Sequence, residues 1–283
     1  MTGVPISTRG LVHIYRSEGH DVAALSGIDL SVRAGEMIAL LGPSGAGKST
    51  LLTLLGGLFR PSAGKIHIGD HELSGLTSAE LDRLRAQEVS LMLQGASRNL
   101  LPYLTPRQNV EFAQRAARRL STNLPEVGEV LERVGLAEHA DRELAELTPG
   151  HLQLAAVAVA IATGPAVLLA DEPTSQLDHE ARDTVLRVLA EISAQQGTTI
   201  VLVTHDPQVA AVMPRTVTIR DGRIGGEGRA GEEYAVVTAD GFVHLPDHVL
   251  AALPPGTLVR VHEREGTYQL IPEHEATGTE EGP

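Results

Sequence analysis

The run Gly42-Pro43-Ser44-Gly45-Ala46-Gly47-Lys48-Ser49-Thr50 fits the pattern G-x-x-x-x-G-K-[ST] at every fixed position. Glycines in such a loop let successive backbone N–H groups turn inward around phosphate oxygens. The Lys48 ammonium adds a point charge at the β- and γ-phosphates, and the Ser49 hydroxyl can ligate Mg²⁺. Upstream, Met37–Leu41 is an apolar run that reads as a buried strand, and residues 50–55 downstream read as the start of a helix. A helix N-terminus behind the loop favours anions. A plain glycine-rich turn with a surface lysine would not need this strand-and-helix frame. The chemistry predicted is binding of a nucleoside triphosphate.

A second group is Asp171-Glu172, directly after the apolar run 167–170. A carboxylate at the end of a buried strand can hold Mg²⁺, usually through water. Its neighbour can orient and deprotonate an attacking water, which phosphoryl transfer requires. Alone, the pair also reads as a solvated acidic loop. With a phosphate loop in the same chain it reads as the hydrolytic half of the site. Gln94 ends the strand pattern 89–93 and could reach metal and water. His205 follows the strand pattern 199–203, at an end that faces the same crevice as the phosphate loop, and could bond the γ-phosphate. Singly, each is an ordinary polar loop residue. The ordered set is what gives them chemistry.

These groups need a frame. Residues 6–16 and 26–41 alternate apolar and polar positions around a polar gap at 17–21, and read as a small β layer leading into the phosphate-loop strand. Residues 66–68 read as a further strand, 77–86 as a capped helix, and 107–161 as mostly helical with breaks near 122–125 and 148–150. The apolar strands 166–170 and 199–203 flank a helix at 179–195, a βαβ unit of a parallel sheet covered on both faces. At 283 residues and 42% apolar, the chain can bury a substantial, mainly aliphatic core. It has no cysteine, which excludes disulfides and Cys-based zinc sites. The longest apolar stretch, 152–170, is broken by Thr163-Gly164-Pro165 and is too short on either side to span a bilayer. The first residues lack a signal-peptide pattern, so a cytoplasmic location is expected. A net charge of −13 argues against a nucleic-acid partner.

Lys48, Ser49, Gln94, Asp171, Glu172 and His205, in this order, resemble the nucleotide site of the ATP-binding subunits of ATP-binding cassette (ABC) transporters. The similarity covers roughly residues 6–225. It implies an α/β P-loop NTPase with a RecA-like parallel sheet, an antiparallel β subdomain and a helical subdomain at about 95–162, the whole cassette occupying 1–227. It further implies that the chain hydrolyses MgATP and drives a separate integral membrane permease from the inner face of the membrane. By resemblance, Glu172 is the general base, assisted by Gln94 and His205. Asp171, Ser49 and Gln94 serve the metal, and Gly42 through Thr50 cradle the phosphates. Tyr15 lies where the family stacks an aromatic ring on adenine, although it is also an ordinary strand residue. Ser175-Gln176-Leu177-Asp178 matches the family's dimer-contacting loop, and helices around 100–110, with the segment after Gln94, match its permease contact. Leu54-Leu55-Gly56-Gly57-Leu58 and Leu104-Thr105-Pro106 resemble the branch serving macrolide exporters and lipoprotein-release machines.

One motif departs from the family. Its signature, Leu-Ser-Gly-Gly-Gln followed by Gln-Gln-Arg, aligns with Leu147-Thr148-Pro149-Gly150-His151-Leu152-Gln153-Leu154. Thr148 keeps a hydroxyl and Gly150 is retained. Pro149 loses a backbone N–H and fixes φ near −65°. In the family two cassettes face head to tail, and each signature caps the nucleotide on the other's phosphate loop. Thr148 and Gly150 would therefore act on the partner's ATP, and Asp178, in the dimer-contacting loop, is expected among the nucleotide-binding residues. Thr148 and Pro149 also make a good helix start, and both readings stand together. A heterodimer with an intact cassette is the favoured pairing, with a homodimer as the alternative. Two other readings are an ATP-binding scaffold of little turnover and a soluble, non-transport ATPase.

Residues 231–283 carry ten acidic residues and two arginines. Strands at 234–237 and 242–245 around Asp240-Gly241, a short helix at 247–253, and strands at 258–262 and 268–271 are expected. The order resembles the swapped-hairpin modules of bacterial transition-state regulators, which dimerise. The predicted unit is an acidic β-rich appendage, 228–283, with a disordered end.

Overall fold

The computed structural model describes residues 3–17, 20–120, 124–229, 231–238 and 241–272. The chain begins with Ile6–Ser17 (β1), His20–Ile28 (β2), Ser31–Val32 (β3), Met37–Leu41 (β4), Lys48–Leu55 (α1), Ala63–Ile68 (β5), His71–Glu72 (β6), Ser78–Gln87 (α2) and Val89–Met92 (β7). A helical stretch follows, with Pro106–Ala117 (α3), Val127–Arg133 (α4) and Pro149–Ile161 (α5). The chain then returns through Val167–Asp171 (β8), His179–Gln196 (α6), Thr199–Val203 (β9), Pro207–Val212 (α7), Arg215–Arg220 (β10) and Arg223–Arg229 (β11). Glu232–Ala235 (β12), Asp247–Ala252 (α8), Val259–Arg264 (β13) and Thr267–Pro272 (β14) form the tail.

The main sheet has the order β12-β11-β10-β4-β9-β8-β7. Its centre, β10-β4-β9-β8-β7, is parallel. Alternate residues of these strands enter two different cores. Met37, Ala39, Leu168, Ala170, Ile200 and Leu202 pack with the helices α3 to α6. Ile38, Leu40, Val167, Leu169, Val201 and Val203 pack with α1 and the antiparallel sheet. This two-sided burial is why the strands read as unbroken apolar runs. The second sheet, β2-β1-β5-β6 with β3 on β1, is antiparallel and is the expected β subdomain. β1 and β2 pair on into the polar gap, Arg16 with Asp21 and Ser17 with His20.

Helix starts follow local chemistry. Thr77 with Glu80, and Thr105 with Gln108, form capping boxes at α2 and α3. Helix α5 is apolar on all sides and is buried between α3, α4, α6 and β7.

The tail differs from expectation in two places. The boundary drawn at 227–228 falls inside β11, and β12 adds a further strand to the same sheet. The glycines at 225, 226 and 228 lie within that strand, where His244, the Tyr234 carbonyl and Thr216 respectively crowd the place a Cβ would take. The expected strand 242–245 is reduced to a single bridge, Val237 with Val243, because the preceding segment pairs with β11 instead. The hairpin β13–β14 forms as predicted. Asp240, residues 121–123 and the terminal residues expected to be disordered lie outside the described residues.

Candidate nucleotide site

The phosphate loop leaves β4 at Gly42, which has φ 142°. A Cβ there would stand 2.1 Å from the Ile219 carbonyl oxygen, so glycine is required. Gly47, at φ 98°, begins α1 with no side-chain cap, and a Cβ on it would lie 2.4 Å from the Ala24 oxygen. Lys48 is only 7% exposed. Its Nζ donates to the Gly42 and Pro43 carbonyls, both at 2.8 Å. Burial pulls the Lys48 pKa down, and the carboxylates of Glu172 and Asp171 oppose that pull.

Three other strand ends converge on the loop. Asp171 closes β8, and its Oδ1 accepts the Ser49 hydroxyl at 3.2 Å. Burial raises the Asp171 carboxyl above its usual range, against the bond from Ser49. Glu172, the next residue, sits at φ 47°, a conformation costing roughly 1–2 kcal/mol for a residue with a Cβ. Its N–H donates to Val203 O at 3.0 Å, which ties the turn to β9. Gln94 Nε2, after β7, donates to Glu172 Oε2 at 2.8 Å, and His205 Nδ1, after β9, lies 2.8 Å from Oε1. One carboxylate is thus gripped on both oxygens, the geometry needed to aim a base at a water. Strained backbone of this kind is often stored at functional sites.

A cavity of about 740 Å³ is lined by Tyr15, Ser44, Gly45, Gly47, Lys48, Ser49, Thr50, Gln94, Glu172 and His205. Its size is within the range of ligand sites for small molecules. Gly42, Pro43, Ala46 and Asp171 are not among its lining residues. The Tyr15 hydroxyl is 3.2 Å from Thr50 Oγ1, and its ring meets His13 and Phe59 edge-on at 4.7 and 6.5 Å. The hard oxygens of Ser49 and Asp171, with the Gln94 amide oxygen, are a donor set that suits Mg²⁺.

Sequence reasoning missed Val22, Ala23 and Ala24, which line this cavity, and the two rings behind Tyr15. The signal was the pairing of Tyr15 with Val22 across the β1–β2 hairpin.

Thr148, Gly150 and Asp178 are elsewhere. With Pro149, His151, Gln176 and Leu177 they line a separate cavity of about 500 Å³. Within one chain they do not meet the phosphate loop. Thr148 caps α5, its Oγ1 accepting the His151 N–H at 3.2 Å, with Pro149 in the first turn. Asp178 caps α6 through Ala181 N at 2.9 Å. A Cβ on Gly150 would be 2.9 Å from Ala181 Cβ, so the two helix starts pack closely. Burial lowers the His151 pKa, aided by His139 and Arg142, and its ring centroid is 4.3 Å from that of His139. Carboxylates of Asp178 and Glu180 line this cavity, and no lysine or arginine does among the described residues.

Residues 25–175 match the family described as ABC transporter. The methionine import ATP-binding protein MetN of Caulobacter vibrioides is 39% identical over 91% of this chain and 78% of its own length. The lipoprotein-releasing system ATP-binding protein LolD of Anaeromyxobacter dehalogenans is 41% identical over 72% of this chain and 85% of its own. The macrolide export ATP-binding/permease protein MacB of Burkholderia pseudomallei is 39% identical, and the aligned region spans 34% of that longer protein. Among solved structures, the dimeric cassette MJ0796 bound to ADP and Pi superposes with TM-score 0.71 and 28% identity, covering 79% of this chain and 98% of that one.

Proposed function

Because the chain belongs to the ABC transporter family and is an ATP-hydrolysing cassette that takes ATP with Mg²⁺, we propose that it powers a separate membrane permease and works beside a second, intact cassette. The observation that carries the hydrolytic assignment is the grip of Gln94 and His205 on Glu172, opposite Lys48 in one cavity. Glu172 takes the proton of the attacking water. Gln94 and His205 fix its two oxygens, and His205 also faces the γ-phosphate. Lys48 leaves the Gly42 and Pro43 carbonyls for the β/γ oxygens. Ser49, Asp171 and the Gln94 amide oxygen would hold Mg²⁺, which would supply positive charge to the β/γ oxygens. Tyr15, held by Thr50, His13 and Phe59, offers a face to adenine.

Thr148, Gly150 and Asp178 are assigned to the partner's nucleotide, because they lie outside their own chain's cavity. Pro149 and the Thr148 cap leave that face few donors, which supports pairing with an intact cassette. No described helix is long and apolar enough to cross a membrane, and the permease is assigned to a separate chain. Exposed Leu93, Tyr103 and Phe112, beside the segment after Gln94, support contact with it there. The relatives' names include import and export, so the direction of transport is left open. The cassette is taken to extend through β12, with the remaining tail as an appendage at the inner face of the membrane.

Affinity purification of the tagged chain from detergent-solubilised membranes of its own cell tests this. Recovery of a multi-span protein and a second cassette is the expected result. Recovery only as a freely turning-over homodimer from the soluble fraction overturns both partner assignments.

A further inference from the structure

The turn between β10 and β11 touches the phosphate loop on one side and the C-terminal tail on the other. Gly222 N donates to Ala46 O at 3.2 Å, and Gly222 O accepts from Ser26 N at 2.8 Å. Just before the turn, Ile219 O abuts Gly42. The turn is therefore a floor beneath the loop whose Gly42 and Pro43 carbonyls hold Lys48. The tail grips this turn from both arms. Arg220 donates to His244 Nε2 at 3.0 Å; an arginine can only donate, so the ring nitrogen accepts. Arg223 lies over the Phe242 ring, 5.8 Å from its centroid. His244 also packs on Gly225, 3.3 Å from where a Cβ would stand, and β12 adds a ladder to β11.

We propose that β12, Phe242 and His244 form a cis-acting brace of the phosphate loop, holding the β10–β11 turn against Gly42 and Ala46 and thereby raising affinity for nucleotide. The physical basis is local stability. A turn at the end of a hairpin opens readily unless side chains tie it down, and the loop above it inherits that motion. The two ties are a cation–π contact and a hydrogen bond from a charged donor, each able to shift a local equilibrium by a factor of a few. The tail then regulates the cassette through the order of its phosphate loop, without entering the site. The effect on affinity rests on the MgATP assignment made above; the effect on loop order does not.

The test uses the full chain. Phe242→Ala with His244→Ala removes two side chains that are exposed to solvent and leaves both cores intact. Hydrogen exchange of the nucleotide-free protein is followed at residues 42–49 and 219–223, and MgATP affinity is measured by calorimetry. The double variant should exchange roughly three- to tenfold faster at both segments and bind MgATP weaker by a similar factor. Tyr268→Ala, on β14, should change neither. Unchanged exchange, faster exchange with unchanged affinity, or an equal effect from Tyr268→Ala would each overturn the brace. A parent chain that fails to bind MgATP at all, yet shows the tail-dependent exchange, would instead sink the nucleotide assignment and leave the structural coupling standing.

Discussion

Helix α1 starts at Gly47 with no side-chain cap, whereas helix α5 starts at Thr148, whose hydroxyl accepts the His151 N–H. Both ends are places where backbone donors lack helical partners and where the helix dipole favours anions. They are finished in opposite ways. At α1 a left-handed glycine turns the chain so that the N–H groups of Lys48, Ser49 and Thr50 carry no internal cap, and Lys48 adds a cation. At α5 Pro149 has no N–H to offer, the cap consumes that of His151, and the neighbouring charges are the carboxylates of Asp178 and Glu180. The comparison teaches that a helix N-terminus becomes an anion site only when its local stability is left incomplete. Completing the cap gains helix stability and gives up donors.

The sharpest way to break this contrast is to neutralise Glu172, the proposed base on the α1 side. Glu172→Gln should keep MgATP affinity and lower steady-state hydrolysis of the assembled transporter by about 10²–10⁴-fold. Retention of most of the parent's turnover would mean that this chain's crevice is not the hydrolytic one. Next in size is Lys48→Ala. Losing a charged donor aimed at phosphate should weaken MgATP binding by roughly 10–150-fold, read by calorimetry on the isolated chain. Equal affinities in variant and parent would remove the distinction between the two helix ends.

Reopening α5 is the converse test. Thr148→Ser with Pro149→Gly restores the hydroxyl-glycine pair, and should raise the ATPase rate of a forced homodimer at least about tenfold. Leu154→Arg is left out of this variant, although arginine is the family's residue there. Leu154 packs in the helical core and also lines the cavity that Asp178 and Glu180 share, so an arginine there would change packing and charge together and confound the donor test. Unchanged turnover would show that Pro149 serves only to start a helix. A smaller effect separates the cap's structural role. Thr148→Ala should cost about 1 kcal/mol of stability in a denaturant titration, and leave MgATP affinity of the isolated chain as it was. A loss of affinity in that chain would place Thr148 in its own site, against the geometry.

The last prediction concerns pH. Asp171 is held above the ordinary aspartate value of 3.8 by burial, only partly offset by the Ser49 bond. The folded chain therefore binds this proton more tightly than the unfolded one. Its contribution to stability is full below about 3.8 and is lost as pH rises through the raised value. In the nucleotide-free protein Asp171→Asn should flatten that part of the stability-against-pH curve, measured by denaturant midpoints. A variant whose curve parallels the parent's above pH 3.8 would show that burial does not strain this carboxylate.

The phosphate loop, the two carboxylates, Gln94 and His205 were legible as a set because their positions are tied to strand ends. A residue that follows a buried apolar run can only emerge at the end of that strand, and parallel strands place those ends on one edge. The cap at Thr77 was legible for a similar reason, since its partner Glu80 lies three residues on. The tail was less so. Its β13–β14 hairpin is local, but β12 pairs with β11 across a break in composition, and nothing in the run of glycines says which neighbour will fill the space above them.

The sequence alone determined which chemistry the chain carries: a glycine-rich loop in the phosphate-binding pattern, a lysine to charge it, and carboxylates at a strand end. The tertiary structure decided which groups share a crevice. Glu172 has two grips because β7 and β9 flank β8, an order that no spacing along the chain records. Thr148, Gly150 and Asp178 stand apart because α5 and α6 start side by side, away from β4. Local sequence fixes what a residue can donate or accept, whereas long-range packing fixes what it can reach.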